Sequence, residues 1–334
     1  MGNKFSFKKK KLSDNIIQKK LADNIFQINE INLDINSKYF NTIDEIKYIK
    51  SLKTFCFLNK FYNIVFYYTF PKYQRNKKVE EILGERKIEN FFYLEKANKF
   101  VIRVSDGGSL IYSIEDNTLI LKEELSNEFD TIIEINSKIF VVLESYTCST
   151  YKFINEKIQK INVFKIEIGD KSGIDSIDVS PSKKNILISG KNYEIFLLNA
   201  LTLKIISKYT NDISGDVYFL NGMIFIAASL YFFNLYNINN NNPIIKVNNL
   251  YKIFYFSRID ESKFIHVDLD SFSIYKYTND KLEKISESYG SIHTIRSILY
   301  IEECLYIGTI NSVKIGKLIE KPNNKPHDII YCSI

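Results

Sequence analysis

The chain has 334 residues, 45% hydrophobic and 14% aromatic, which excludes a disordered or low-complexity protein and leaves room for a large core. Its net charge of +6 belongs to one end: residues 1–20 hold seven lysines (Lys4, Lys8, Lys9, Lys10, Lys11, Lys19 and Lys20) against Asp14 alone, and removing these from the totals of 45 and 39 leaves 38 charges of each sign. A body without net charge offers no basic face, so no nucleic-acid partner is expected. Cys56, Cys148, Cys304 and Cys332 show no Cys-x-x-Cys spacing, which points to free thiols in a reducing compartment rather than to a disulfide framework.

The chain begins Met1-Gly2-Asn3-Lys4-Phe5-Ser6, which fits the Met-Gly-x-x-x-Ser/Thr pattern of N-myristoylation, with Gly2 as the acyl acceptor. Lys8 to Lys11 follow at once. A single acyl chain anchors only marginally, and each lysine near anionic lipid adds about 1 kcal/mol, so acyl chain and lysines together would hold the protein on the cytoplasmic face of a membrane. Ser6 is a candidate phosphorylation site, because a phosphate there would offset part of the lysine charge. The plainer reading is a solvated basic tail or a localisation signal. Leu12, Ile16, Ile17, Leu21, Ile25 and Ile28 recur at helical spacing behind Ser13 as N-cap, predicting a short amphipathic helix. Ile31, Leu33 and Ile35 alternate with polar residues and predict a strand.

From about residue 43, strand-rich units recur. The first holds strands at 46–52, 55–58 and 64–70, then a basic loop from Lys72 to Lys78. The second holds 91–94, 100–104, the turn Asp106-Gly107-Gly108, 110–114 and 119–121. The third holds 131–135, 139–143, 150–153 and 161–168. The fourth, residues 173–206, is the most regular. Its strand Ser176–Val179 alternates, Ser180-Pro181 turns the chain, Ile186-Leu187-Ile188 is continuously apolar, and Gly190-Lys191-Asn192 and Asn199-Ala200 make two further turns. Four antiparallel strands in so short a stretch make one propeller blade. The fifth unit holds 217–220, 224–227, 232–236 and 244–247, and the sixth 253–257, 264–267, 273–277 and 282–285. The seventh has only 294–300, 305–309 and 313–319. Residues 31–35 are expected to supply its missing outer strand and close a ring, with Ile329-Ile330-Tyr331 as the rival.

The fourth unit resembles a WD40 repeat. Ser176-Ile177-Asp178-Val179-Ser180-Pro181, Ile186-Leu187-Ile188-Ser189-Gly190 and Ile195-Phe196-Leu197-Leu198-Asn199-Ala200 follow that family's blade in order and spacing. Leu198-Asn199 stands where the family has Trp-Asp, Gly169-Asp170 where it has Gly-His, and the chain contains no Trp. Ser189 remains from the family's hydrogen-bonded side-chain set, with Asn192 a stand-in for its Asp. The resemblance implies an all-β, seven-bladed WD40-like propeller over residues 29–320, between a basic tail with a short helix (1–28) and a C-terminal tail (321–334).

Several stretches compete for function. Val217 to Ile245 holds no charge, and Tyr218 to Ile238 is long enough to cross a bilayer as a helix. Asn221-Gly222 is a hairpin signal, however, and the segment keeps the repeat phase, so two buried strands are expected. His266, Asp268 and Asp270 lie on one strand face, yet are too few alone for a metal site. Glu115, Asp116, Glu123, Glu124, Glu128 and Asp130 form an acidic run, either a solvated face or a docking surface. No nucleophile-base pattern and no phosphate-binding glycine loop is evident, so neither catalysis nor a cofactor is expected. The expected role is a membrane-tethered scaffold that binds other proteins through its loop faces. The alternative is a propeller that reads anionic lipid head groups through Arg75, Lys77 and Lys78, and an enzyme with a site in the central channel ranks below both.

Overall fold

The structure, a computed structural model, describes residues 29–31, 45–50, 53–59, 64–69, 74–75, 87–115, 118–144, 147–166, 173–191, 193–210, 215–248, 253–268, 271–289, 297–301, 304–308, 313–319 and 328–330. The helix expected over 12–28 lies outside them. Among the described residues there is no helix, and the strands form seven antiparallel sheets, six of four strands and one of five. β1 (Asn29–Ile31) pairs with the far end of the chain. The first four-stranded sheet is β2 (Glu45–Ile49), β3 (Thr54–Asn59), β4 (Ile64–Thr69) and β5 (Gln74–Arg75). The second is β6 (Ile88–Leu94), β7 (Lys99–Val104), β8 (Ser109–Glu115) and β9 (Thr118–Leu125), and the third β10 (Thr131–Glu134), β11 (Ile139–Glu144), β12 (Thr147–Ile154) and β13 (Lys157–Lys165). The fourth is β14 (Ile174–Val179), β15 (Asn185–Gly190), β16 (Glu194–Asn199) and β17 (Ile205–Thr210), and the fifth β18 (Asp216–Phe219), β19 (Ile224–Ala228), β20 (Phe232–Asn237) and β21 (Pro243–Asn248). The sixth is β22 (Ile253–Arg258), β23 (Lys263–Asp268), β24 (Ser271–Thr278) and β25 (Lys281–Tyr289). The last holds β26 (Ser297–Ile301), β27 (Cys304–Gly308), β28 (Val313–Ile319) and the two strands from the chain ends, β1 and β29 (Asp328–Ile330).

Each middle strand serves two cores at once, because successive side chains on a strand point to opposite faces. On β15, Ile186 and Ile188 pack with Val141 and Leu143 of the third sheet, whereas Leu187 packs with Phe225 and Ala227 of the fifth. The same alternation sends Phe225 and Ala227 back to the fourth sheet and Ile226 forward to Phe264 of the sixth. Strands buried on both faces must be apolar throughout, which is why β19 reads Ile-Phe-Ile-Ala-Ala without a polar residue. Comparable clusters join the first sheet to the second, the second to the third, and the sixth to the last. The cycle closes where Phe55 of the first sheet meets Tyr306 of the last, ring centroids 4.5 Å apart. The first strands of successive sheets approach one another, as β10 does β14, β14 does β18, and β26 does β2. The arrangement is propeller-like.

The outer strands are treated differently. In five sheets the fourth strand carries a bulge that leaves one residue unopposed: Lys122 on β9, Ile161 on β13, Ile206 on β17, Ile244 on β21 and Ile285 on β25. A bulge twists an edge out of the flat geometry that a second strand needs, so the repeated device guards edges whose backbone groups would otherwise template aggregation.

Several expectations change. The basic loop after the first unit contains β5, which pairs Gln74 and Arg75 with Thr69 and Tyr68. Both rivals for the seventh sheet's outer edge are present, end to end on β28: β1 lies opposite 313–315 and β29 opposite 317–319. The N-terminal strand falls at Asn29–Ile31, earlier than the expected 31–35, and residues 32–35 lie outside the described set. The uncharged stretch Tyr218–Ile238 runs through β18, β19 and β20, three strands rather than two. Among the described residues no helix is long and apolar enough to cross a membrane.

Candidate functional site

The first strands of the fourth, fifth and sixth sheets end side by side, each for its own local reason. β14 stops at Val179 because Pro181 has no N–H for a ladder; the Ser180 hydroxyl accepts from the Asn185 N–H at 3.0 Å, and Lys183 closes the turn at φ 60. β18 gives way to a turn in which Asn221 Oδ1 accepts from the N–H groups of Met223 and Ile224, both at 2.8 Å. After β22, Asp260 Oδ1 does the same for Ser262 at 2.7 Å and Lys263 at 2.8 Å. Asn and Asp suit these positions because a short side-chain oxygen can cap N–H groups two and three residues on.

Between the three strand ends lies a cavity of about 350 Å³. Its floor is apolar, with Phe219, Leu220, Ile226 and Phe264 all buried. Phe256 and Tyr218 form a wall, their ring centroids 5.4 Å apart. Lys183 and Arg258 supply positive charge, and Ser180 and Ser257 hydroxyls. Lys183 Nζ donates to the Glu134 carbonyl at 2.8 Å, which fixes the ammonium beside the third sheet. Among the described residues Arg258 pairs with no carboxylate.

Asp178 stitches β14 to β18. Its Oδ2 accepts from the Phe219 N–H at 2.6 Å and its Oδ1 from its neighbour's N–H, Val179, at 2.8 Å. Solvent reaches the residue through the cavity, but loss of water around the carboxylate dominates and pushes its pKa up to about 6, against the opposing pull of the two N–H groups, Arg258 and Lys183. Loss of water also lowers the Lys183 pKa, opposed chiefly by Glu134. Farther along β18, burial raises the pKa of Asp216, opposed by hydrogen bonds from Tyr218 and Ser176; burial, then the Asp216 charge, hold the Tyr218 phenol well above its usual range. β18 enters through Gly215, whose added Cβ would lie 1.8 Å from the Ala228 carbonyl oxygen. Ser189, the residue shared with the WD40 pattern, donates its hydroxyl to the Gly215 carbonyl at 2.5 Å; Asn192 lies outside the described residues.

The structure does not gather the residues singled out from sequence. Gly2, Ser6, Lys4, Lys8, Lys9, Lys10, Lys11, Lys19 and Lys20 lie outside the described residues, as do Lys77 and Lys78. Arg75 sits on β5, the outer strand of the first sheet, whereas the cavity lies among first strands of the fourth to sixth. The acidic run divides: Glu128 pairs with Arg103 at 2.9 Å, Asp130 also pairs with Arg103, Glu115 pairs with Lys122 at 2.9 Å, and Glu123 accepts from the Ile158 N–H at 3.0 Å. His266 is buried among Phe233, Phe256 and Tyr275, and the described residues hold no group of three or more His, Cys, Asp or Glu placed to bind a metal. Cys56 and Cys148 are free and buried, and burial raises both thiols, that of Cys148 to about 12. Asp178, Lys183 and Arg258 were missed. Their common position, at or past the end of the first strand in the fourth and sixth units, is the signal that could have found them.

No family model matches the chain. Over 250 residues it is 28% identical to a curated protein of Euglena longa, the Ribosomal operon-associated A protein; the match covers 69% of this chain and 47% of that protein. The chain therefore spans about half the length of this relative.

Proposed function

We propose that the seven sheets are the blades of a seven-bladed, WD40-like propeller, and that the protein is a non-catalytic scaffold that binds other proteins at the ends of the ring. The observation that carries this reading is the cavity at the ends of β14, β18 and β22. Side chains from three sheets converge there on an apolar floor with a few placed polar groups, the usual make-up of a recognition site. The cyclic packing of the sheets supports the propeller itself. The name of the Euglena longa relative ties that protein to a ribosomal operon and states no activity. We carry over no more than a shared fold across the matched residues.

The test is in-cell cross-linking of the intact chain followed by mass spectrometry, with the wild type beside a Phe256→Ala/Arg258→Glu double variant. The scaffold reading expects the wild type to capture a reproducible protein set that the variant loses in whole or part. Capture of no protein above background by the wild type would refute it. We further propose that Gly2 and the lysines of residues 1–20 tether this scaffold to anionic membrane lipid, as an acyl chain and a polybasic segment do together.

A further inference from the structure

We propose that the cavity between β14, β18 and β22 is a carboxylate receptor: it takes a carboxylate carried on a small apolar body, as at the end of a peptide or on a glutamate side chain, with Arg258 and Lys183 holding the anion. This deepens the protein-binding reading and rests on it.

The charges point to an anion. The lining carries the cations Lys183 and Arg258 and the acid Asp178, while Lys96 and Glu134 act on Lys183 from outside the lining. The two acids are already engaged by backbone. Asp178 accepts from Val179 and Phe219, and Glu134 Oε1 accepts from the N–H groups of Lys96 and Ala97 at 2.8 and 2.9 Å. The cations lining the cavity outnumber its one acid, two to one, and among the described residues the Arg258 guanidinium pairs with no carboxylate. A guanidinium matches the two oxygens of a carboxylate, and the charge-assisted bonds gain strength beside a low-dielectric wall.

The floor points to the rest of the ligand. Phe219, Leu220, Ile226 and Phe264 cannot satisfy a polar guest, and the Phe256 and Tyr218 rings close one side. A bare inorganic ion would leave this surface unused, and a purely apolar guest would take water from the Arg258 guanidinium and offer it no acceptor, which is costly. At about 350 Å³ the space suits one or two side chains rather than a folded domain. The order of the pieces, apolar floor and cationic rim, fits a guest with its anion at one end.

The experiment uses the full chain and three probes in calorimetric titration: N-acetyl-Ala-Leu with a free terminal carboxylate, the same peptide amidated, and N-acetyl-Leu-Glu amide, whose carboxylate lies on the side chain. Inorganic phosphate is a fourth arm. At least one carboxylate peptide should bind tenfold or more tighter than the amidated peptide, since a charge-assisted bond is worth at least that factor. Which of the two binds better identifies the source of the anion. Arg258→Ala should remove most of the difference and Arg258→Lys only part, because an ammonium keeps the charge but not the fork; Arg258 is exposed, so neither change threatens folding. Equal binding of all three peptides, phosphate binding tighter than either carboxylate peptide, or an unchanged preference in Arg258→Ala would each overturn the inference. Partner capture separates the two levels. If Arg258→Ala captures the same proteins as the wild type, the receptor fails while the scaffold stands; if the wild type captures none, the scaffold fails whatever the peptides show.

Discussion

Asp178→Asn tests whether the β14–β18 junction is built around a carboxylate that dislikes its charge. The folded carboxyl titrates near 6 against an ordinary value of 3.8. That difference puts an upper value of about 3 kcal/mol on the cost of ionising it in the folded chain. The direction follows from linkage. Between pH 3.8 and 6 the folded state keeps a proton that the unfolded state has released, so the contribution of Asp178 to stability declines as pH rises through that window and is lowest above it. Asparagine cannot ionise, so this decline should vanish. Its amide NH2 accepts nothing, whereas both carboxyl oxygens keep acceptor capacity even with one protonated, so either the Val179 or the Phe219 N–H loses its partner, at a cost of about 1–3 kcal/mol. The variant should therefore be clearly less stable than the wild type at pH 4 and close to it at pH 7. Urea unfolding followed by circular dichroism at half-unit pH steps measures the difference, in which every other titrating group cancels. A difference that stays constant from pH 4 to 7, or that grows toward pH 7, would refute the reasoning.

Gly215→Ala should destabilise by about 1–3 kcal/mol or more, because the new methyl would lie 1.8 Å from the Ala228 carbonyl oxygen and only backbone movement can relieve it; the midpoint of thermal unfolding reads this. Phe225→Ala, in the stack with Tyr236 and against Tyr209, should cost about 3–5 kcal/mol in urea unfolding through the void it leaves. Cys56 and Cys148 should resist alkylation at pH 8 in the native protein and react once urea unfolds it, with peptide mapping to tell them from the other two thiols; native reactivity would contradict their burial. Gly2→Ala and replacement of Lys8 to Lys11 by alanine should each move the protein from membrane to soluble fractions. An unchanged Gly2→Ala distribution would remove the acyl chain from the proposal.

Much of the fold is legible in the sequence because the middle strands are buried on two faces. Runs such as Ile186-Leu187-Ile188, 224–227 and 264–267 read as strands covered on both faces, and all three lie inside observed strands. The outer strands are harder, since they are held by backbone pairing and carry whatever solvent allows. Gln74 and Arg75 look like part of a basic loop and still pair with β4. The bulges at Lys122, Ile161, Ile206, Ile244 and Ile285 are invisible for a related reason: an inserted residue shifts the apolar alternation by one, which in a single sequence reads as a ragged strand end.

The cavity was illegible because its chemistry depends on register across sheets rather than on local pattern. Asp178 reads as the solvent side of an alternating strand, and Arg258 as the charged end of another. What gives each its meaning is the neighbour 40 or 80 positions away, brought alongside by the packing of the fourth, fifth and sixth sheets. The same device recurs elsewhere on the first strands: Lys47 donates to the Phe91 carbonyl of the next sheet, and Asn90 Nδ2 to the Asp130 carbonyl of the next again, at 3.4 Å. In both cases a polar side chain at a strand's edge reaches the backbone of the following sheet. Asp178 reaching the Phe219 N–H belongs to this series of inter-sheet ties, which explains a half-buried carboxylate without invoking a ligand. Arg258 does not fit the series. Its guanidinium makes no ion pair with a carboxylate among the described residues and acts on Asp178 through its charge alone, beside an apolar floor. A binding role therefore rests on Arg258 rather than on Asp178, and the carboxylate peptides test that residue directly.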